Sequence, residues 1–138
     1  MYAKFAALLT CAVLTVGAAG CGTSETLKQH RAFCKARIDL DRVEQVGTVG
    51  EFGPALMAFT SRLPQSAPED IRATASSLTS SWDKLYATYV TNGGDPKVHL
   101  EVDNQVPPEI AGLRAEWTTG LNRTKVRALY SFADEECG

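Results

Sequence analysis

The sequence predicts an all-α fold, a disulfide-closed bundle of four or five helices, and three observations predict it. Apolar side chains recur at steps of three and four over most of the chain, and Gly and Pro gather at the ends of those runs. Strand-like alternation occurs in one short segment, with no second segment to pair with it. The 138 residues include 44% apolar side chains, 11 Gly and 6 Pro, as in one ordinary globular domain. Collagen-like, disordered and multi-span readings are thereby excluded.

The first segment is not part of that bundle. Phe5 to Gly20 carries no charge and follows Lys4, the pattern of a secretory signal over residues 1–20. Its apolar stretch, about 16 residues, is shorter than the roughly 20 that span a bilayer comfortably as a helix. The order Ala18-Ala19-Gly20-Cys21 resembles the bacterial lipobox, in which cleavage precedes a Cys whose thiol has received a diacylglyceryl group. Ordinary cleavage after Gly20 and retention as an uncleaved helix are the alternatives, and both leave Cys21 without a purpose. Cys21 is therefore the expected lipidation site. Two acyl chains, at about 0.8 kcal/mol per buried CH₂, hold a domain on its membrane where one only visits. Residues 21–25 form the expected tether, reaching roughly 15 Å at full extension, and 26–138 the helical bundle.

Cysteine usage follows from that segment. Cys11 leaves with the signal and Cys21 is taken by lipid, so Cys34 and Cys137 remain, and two thiols permit one pairing. Export places them where disulfides persist. A Cys34–Cys137 disulfide joining the first and last helices is expected. No Cys-x-x-Cys exists, and the two histidines, His30 and His99, stand far apart in the chain.

Residues 25–46 lack Gly and Pro and read as the first helix of the bundle. Phe33, Ala36, Leu40, Val43 and Val46 fall on one face, and Leu27, Cys34 and Ile38 on another, so neighbours are expected on two sides. Gly47 and Gly50 end it. Gly53-Pro54 is the expected start of a short second helix to about Leu63, with Leu56, Phe59 and Leu63 on its inner face. Ser66-Ala67-Pro68-Glu69 has the spacing of a capping box for a third helix. There Ile71, Ala75, Leu78, Trp82, Leu85 and Tyr89 step by four and three over about 23 residues. Asn92-Gly93-Gly94-Asp95-Pro96 ends that helix. Residues 97–106 alternate as a short strand would, and without a partner strand they are read as a loop laying apolar side chains on the bundle. Pro107-Pro108 opens a helix with Ile110, Leu113, Trp117 and Leu121 on its stripe. Beyond it the stripe changes side to Val126, Leu129, Tyr130, Ala133 and Cys137, so a break is expected near Gly120-Leu121-Asn122, with Asn122 capping the last helix.

Taken together, the Ala-Ala-Gly-Cys21 order, the Phe33-Cys34 pair, the helix start at Ser66 to Ile71 and the ending Tyr130 to Cys137-Gly138 resemble small helical lipoproteins and secreted proteins of high-GC Gram-positive, actinobacterial bacteria. That resemblance implies a disulfide-closed helical domain, lipid-anchored on the outer face of the cytoplasmic membrane. It implies no activity.

Chemistry-bearing residues are sparse. Asp39, Asp41 and Glu44 cluster, but they alternate with Arg37 and Arg42, as on a solvated, salt-bridged face. Asp95, Glu101 and Asp103 crowd the long loop without the Asp-x-Asp-x-Asp-Gly order of a calcium site. Asp134, Glu135 and Glu136 close the last helix against its dipole. No phosphate-binding glycine loop, Gly-x-Ser-x-Gly or His-Glu-x-x-His occurs, so catalytic residues, metal and cofactor are each expected to be none. With 14 Lys+Arg against 16 Asp+Glu, the chain is too balanced for a nucleic-acid surface. Of the aromatic residues, Trp82, Tyr89 and Trp117 occupy core positions, while Tyr86 lies off the stripe and is the surface candidate. The expectation is a monomeric, non-enzymatic interaction or accessory domain of the cell envelope with an envelope protein as partner. The alternative is a carrier of a small apolar ligand between helices.

Overall fold

A computed structural model describes residues 2–138, with side chains from Ser24 onward. The predicted signal segment 1–20 and the acceptor thiol of Cys21 lie outside the described side chains. Five α-helices are present among the described residues: α1 Tyr2–Val46, α2 Val49–Thr60, α3 Glu69–Thr91, α4 Ala111–Thr118 and α5 Gly120–Cys137, with a 3₁₀ turn at Pro108–Ile110 before α4. Among the described residues there is no strand, and no helix is long and apolar enough to cross a membrane.

The helices close into a ring in which α1 touches α2 and α5, and α3 touches α2 and α5, with α4 packed on α3 and α5. Phe33, Leu40, Phe52, Leu56, Phe59, Leu78, Leu100, Ile110 and Leu129 are fully buried between them. Helix α1 runs through Ser24 and Glu25, at the end of the tether expected over 21–25. The reason is local: from Thr23 to Val46 no Gly or Pro interrupts the ladder.

Several predicted boundaries move, each for an identifiable reason. Helix α2 begins at Val49, four residues before Gly53, because Thr48 and Glu51 supply a cap there. The Thr48 N–H and hydroxyl donate to Glu51 Oε2 at 2.8 and 3.1 Å. At the predicted Ser66 box no side chain caps the helix, and α3 instead starts after Pro68, whose carbonyl accepts from the Arg72 N–H at 3.1 Å. The break before α5 falls at Thr119, and Gly120 takes φ +58°, a left-handed conformation that favours glycine. Asn122 does not cap α5; its amide donates to Ser81 Oγ at 2.8 Å and joins α5 to α3.

Four stripe residues face water, Leu27 on the second face of α1 among them at 50% exposure. The break rotates Leu121 outward to 77% exposure, Val46 is exposed at the end of α1, and Ile38 is 61% exposed. The second face of α1 is thus covered only where Cys34 meets α5. There the Cys34–Cys137 disulfide closes the bundle, with the two Cα atoms 5.5 Å apart.

Residues 97–106 form the expected loop. Leu100 is fully buried, and backbone N–H groups of Val49, Gly50 and Leu100 donate to the carbonyls of Val98, Pro96 and Gly47 at 2.9 to 3.0 Å. At its tip Asp103 and Asn104 take φ +51° and +61°, and Val102 and Gln105 exchange two backbone hydrogen bonds. Those angles are the ones a type I′ turn requires, and Asp and Asn tolerate them.

Candidate functional site: the groove between α2 and α3

Trp82 organises the centre of the bundle. Its ring meets Phe52 edge-on at 4.4 Å and Trp117 at 5.4 Å, and only 2% of the residue is exposed. Its Nε1–Cδ1 edge faces Gly53 on α2, where a Cβ would lie 3.0 Å from Nε1 and 3.2 Å from Cδ1. Gly53 thus brings the α2 backbone close to the indole and leaves the space over its N–H open. That space is the floor of a surface groove of about 460 Å³, walled by Val49, Pro54, Met57 and Tyr86, with Asp83 at its rim.

Two features of this groove stand out chemically. No hydrogen bond among the described residues uses Trp82 Nε1, and this atom is not one of the buried polar atoms without a partner, which are Arg37 Nε and Arg114 Nε, so the indole N–H is open to solvent at the groove. Met57, 54% exposed, presents a flexible apolar side chain to solvent beside the half-buried Tyr86. Tyr86 and Tyr89 are both half-buried and packed against the core, so the expected division between a core Tyr89 and a surface Tyr86 does not appear. Gly53 and Met57 were missed, and the paired glycines Gly50 and Gly53, inside what proves to be a helix, were the available signal.

The predicted acidic clusters do not converge into a site. Asp39 pairs with Lys35 at 2.6 Å, which holds its carboxyl below the usual range. Asp41 pairs with Arg37. Glu44 turns inward instead and accepts from the Tyr130 hydroxyl. Burial raises the pKa of Glu44, partly offset by that bond, and burial together with the Glu44 charge raises that of Tyr130. The Arg37 guanidinium lies over the Tyr130 ring at 4.0 Å and reaches Asp134 at 3.8 Å, so an α1 cation faces the acidic end of α5. His30 lies 4.0 Å from Glu136 in the same seam. Glu101 pairs with Arg114 at 3.4 Å, and His99 Nδ1 lies 3.2 Å from the Val46 carbonyl at the end of α1. Among the described residues, no group of three His, Cys, Asp or Glu is placed to hold a metal ion.

A second, larger cleft of about 550 Å³ opens between the end of α3 and α4. Leu85, Tyr89, Val98 and Leu113 line it, with Asp95, Glu109 and Glu116 among its polar residues. Tyr89 also donates to the Asp95 carbonyl at 2.8 Å, which fixes the turn at the cleft's edge.

Comparison with protein-family models, with curated proteins and with solved structures finds no match for this chain.

Proposed function

We propose that this protein is a lipoprotein tethered to the outer face of the cytoplasmic membrane through Cys21, and that it works as a non-enzymatic interaction domain. The observation that carries the interaction reading is the α2/α3 groove, an apolar recess walled by exposed Met57 and half-buried Tyr86. Flexible Met side chains and aromatic rings are what adaptable docking surfaces use. The tether rests on the Ala18-Ala19-Gly20-Cys21 order at the end of an uncharged segment.

A photo-crosslinking amino acid at Tyr86 tests the interaction in living cells. It should capture a specific envelope protein that the same amino acid at Arg127, on α5, does not capture; equal capture from both positions, or none from either, rejects the reading. For the tether, Cys21→Ser should move the protein from the membrane fraction to the soluble one. Continued membrane attachment of that variant refutes lipidation as the anchor.

A second reading, a carrier of a small apolar ligand, is favoured by the apolar side chains of the larger cleft, Leu85, Val98 and Leu113. Native mass spectrometry of the protein separates the two. A reproducible co-purifying small mass supports the carrier, and its absence rejects it.

A further inference from the structure

We propose that the Cys34–Cys137 disulfide is a thiol–disulfide exchange site, at which an incoming thiol attacks Cys137 Sγ and Cys34 departs as a thiolate held by the His30 imidazole. The site is separate from the α2/α3 groove and does not depend on the interaction reading.

His30 lies one turn before Cys34 on α1, with Nε2 3.7 Å from Cys34 Sγ. A disulfide sulfur has no proton to give, so in this contact the ring N–H donates and the sulfur accepts. The donor is thus already in place at the atom that gains charge when the bond opens. On the other side of the ring, Nδ1 lies 4.0 Å from Glu136 Oε2 on α5, which sets the imidazole between a carboxylate and the sulfur. His30, Cys34 and Cys137 all keep partial exposure, so a small thiol can reach the bond.

The acidic end of α5 decides which sulfur leaves. Cys137 is the last residue of that helix and follows Asp134, Glu135 and Glu136. A thiolate there would sit beside three carboxylates and at the negative end of the helix dipole, which disfavours it. Cys34, in the body of α1, has the imidazole instead. Other charges around it are engaged: Arg37 with Asp41, Asp134 and the Tyr130 ring, and Lys35 with Asp39. Arg31, next to His30 in the chain, is exposed. Helix α2 also packs on α1, but its Glu51 caps its own start at Thr48, and Arg62 just beyond it donates to the Ala58 carbonyl at 2.8 Å.

In the exchange, the attacking thiolate bonds to Cys137 Sγ, the S–S bond breaks, and its electron pair passes to Cys34 Sγ, which takes the His30 proton or keeps its charge beside it. A second thiolate attacks the incoming sulfur of the mixed disulfide and releases an external disulfide and the Cys137 thiolate. Two external thiols are oxidised, and one protein disulfide is reduced. The reverse sequence closes the bond again, with Cys34 as the attacking thiolate.

Reduced glutathione, in excess over the disulfide-intact full chain in detergent micelles, is the probe. Samples quenched in acid are mapped by mass, and early in the reaction glutathione should be found on Cys137 with Cys34 free. His30→Gln should slow the opening about tenfold at about pH 6 and less than about twofold at about pH 8.5, because an imidazole carries its extra proton only at the lower value. The ratio of the two rates cancels the thiolate fraction of glutathione itself. An unchanged urea midpoint in His30→Gln separates lost chemistry from a loosened fold, and the adduct map needs no variant at all.

Glutathione on Cys34, or shared equally between the two cysteines, overturns the assignment of the leaving sulfur. Equal rates for the parent and His30→Gln at about pH 6, or a ratio that does not change with pH, overturn the part given to His30. A disulfide that excess glutathione leaves closed overnight is a staple alone and overturns the exchange site.

Discussion

Removing the Cys34–Cys137 bond should cost this protein a large part of its stability, and the size of the loss follows from the length of loop it closes. The two cysteines are 103 positions apart. For a loop of about 100 residues, chain entropy assigns up to about 4.7 kcal/mol to the cross-link at 25 °C, nearly all of it through the unfolded chain. Domains of this size are stable by about 5–15 kcal/mol. In the folded state the loss is small, because the α1/α5 seam keeps Arg37 against Tyr130 and near Asp134. At roughly 4 °C per kcal/mol, reduction or the double variant Cys34→Ser, Cys137→Ser should lower Tm by about 15–20 °C. Helical circular dichroism followed through heating and through urea measures both quantities. The urea slope should also steepen, since the released unfolded chain exposes more surface. A loss below about 1 kcal/mol with an unchanged slope would show that the staple does not constrain the unfolded chain, and would refute the reasoning.

Two further perturbations test the fold and its electrostatics. Phe33→Ala, at a fully buried position stacked on Phe59 at 5.2 Å, should destabilise by about 3–5 kcal/mol. Leu121→Ala, at 77% exposure, should stay within about 0.5 kcal/mol; urea midpoints of the pair check the break before α5, and comparable losses would contradict it. Burial raises the folded pKa of Glu44, so its contribution to stability is fully present below its unfolded pKa and is lost as pH rises through the folded value. Stability of the parent protein relative to Glu44→Gln should therefore grow as pH falls from about 7 to 4, in urea titrations at each pH. A difference that shrinks on acidification would contradict the burial of this carboxyl. Asp39, held low by Lys35, works in the opposite sense, its share being lost as pH falls through its folded pKa, and Glu44→Gln leaves that share unchanged.

Much of the fold was legible because its helices are amphipathic. Ala75, Leu78 and Trp82 on α3, Phe33, Ala36 and Leu40 on α1, and Leu129 and Ala133 on α5 lie on the predicted stripes and are buried. The pairing of Cys34 with Cys137 was legible by counting. The termini of helices were less so, because competing caps lie within a few residues of one another. Thr48-x-x-Glu51 and Gly53-Pro54 both announce a helix start, and only the bonds actually made to Glu51 decide for the first. Leu121 was misplaced for a related reason. A one-residue break at Thr119 leaves the sequence spacing untouched while turning the stripe away from the core.

The groove was legible only in part, and the reason is physical. Periodicity records which residues are buried, and Trp82 is buried; it does not record that one edge of a buried ring meets a glycine instead of a side chain. Gly53 was read as a helix start, because Gly before Pro ordinarily breaks a helix, and so its second consequence, an uncovered indole N–H, stayed hidden. The same substitution pattern bears on how the site tolerates change. Any side chain at position 53 enters within 3.0 Å of Nε1, whereas Met57, Asp83 and Tyr86 contribute side chains at a surface groove outside the fully buried core. The floor of the groove is therefore tied to the packing of the bundle, while its walls and rim are open to substitutions that alter what it recognises without unfolding the domain.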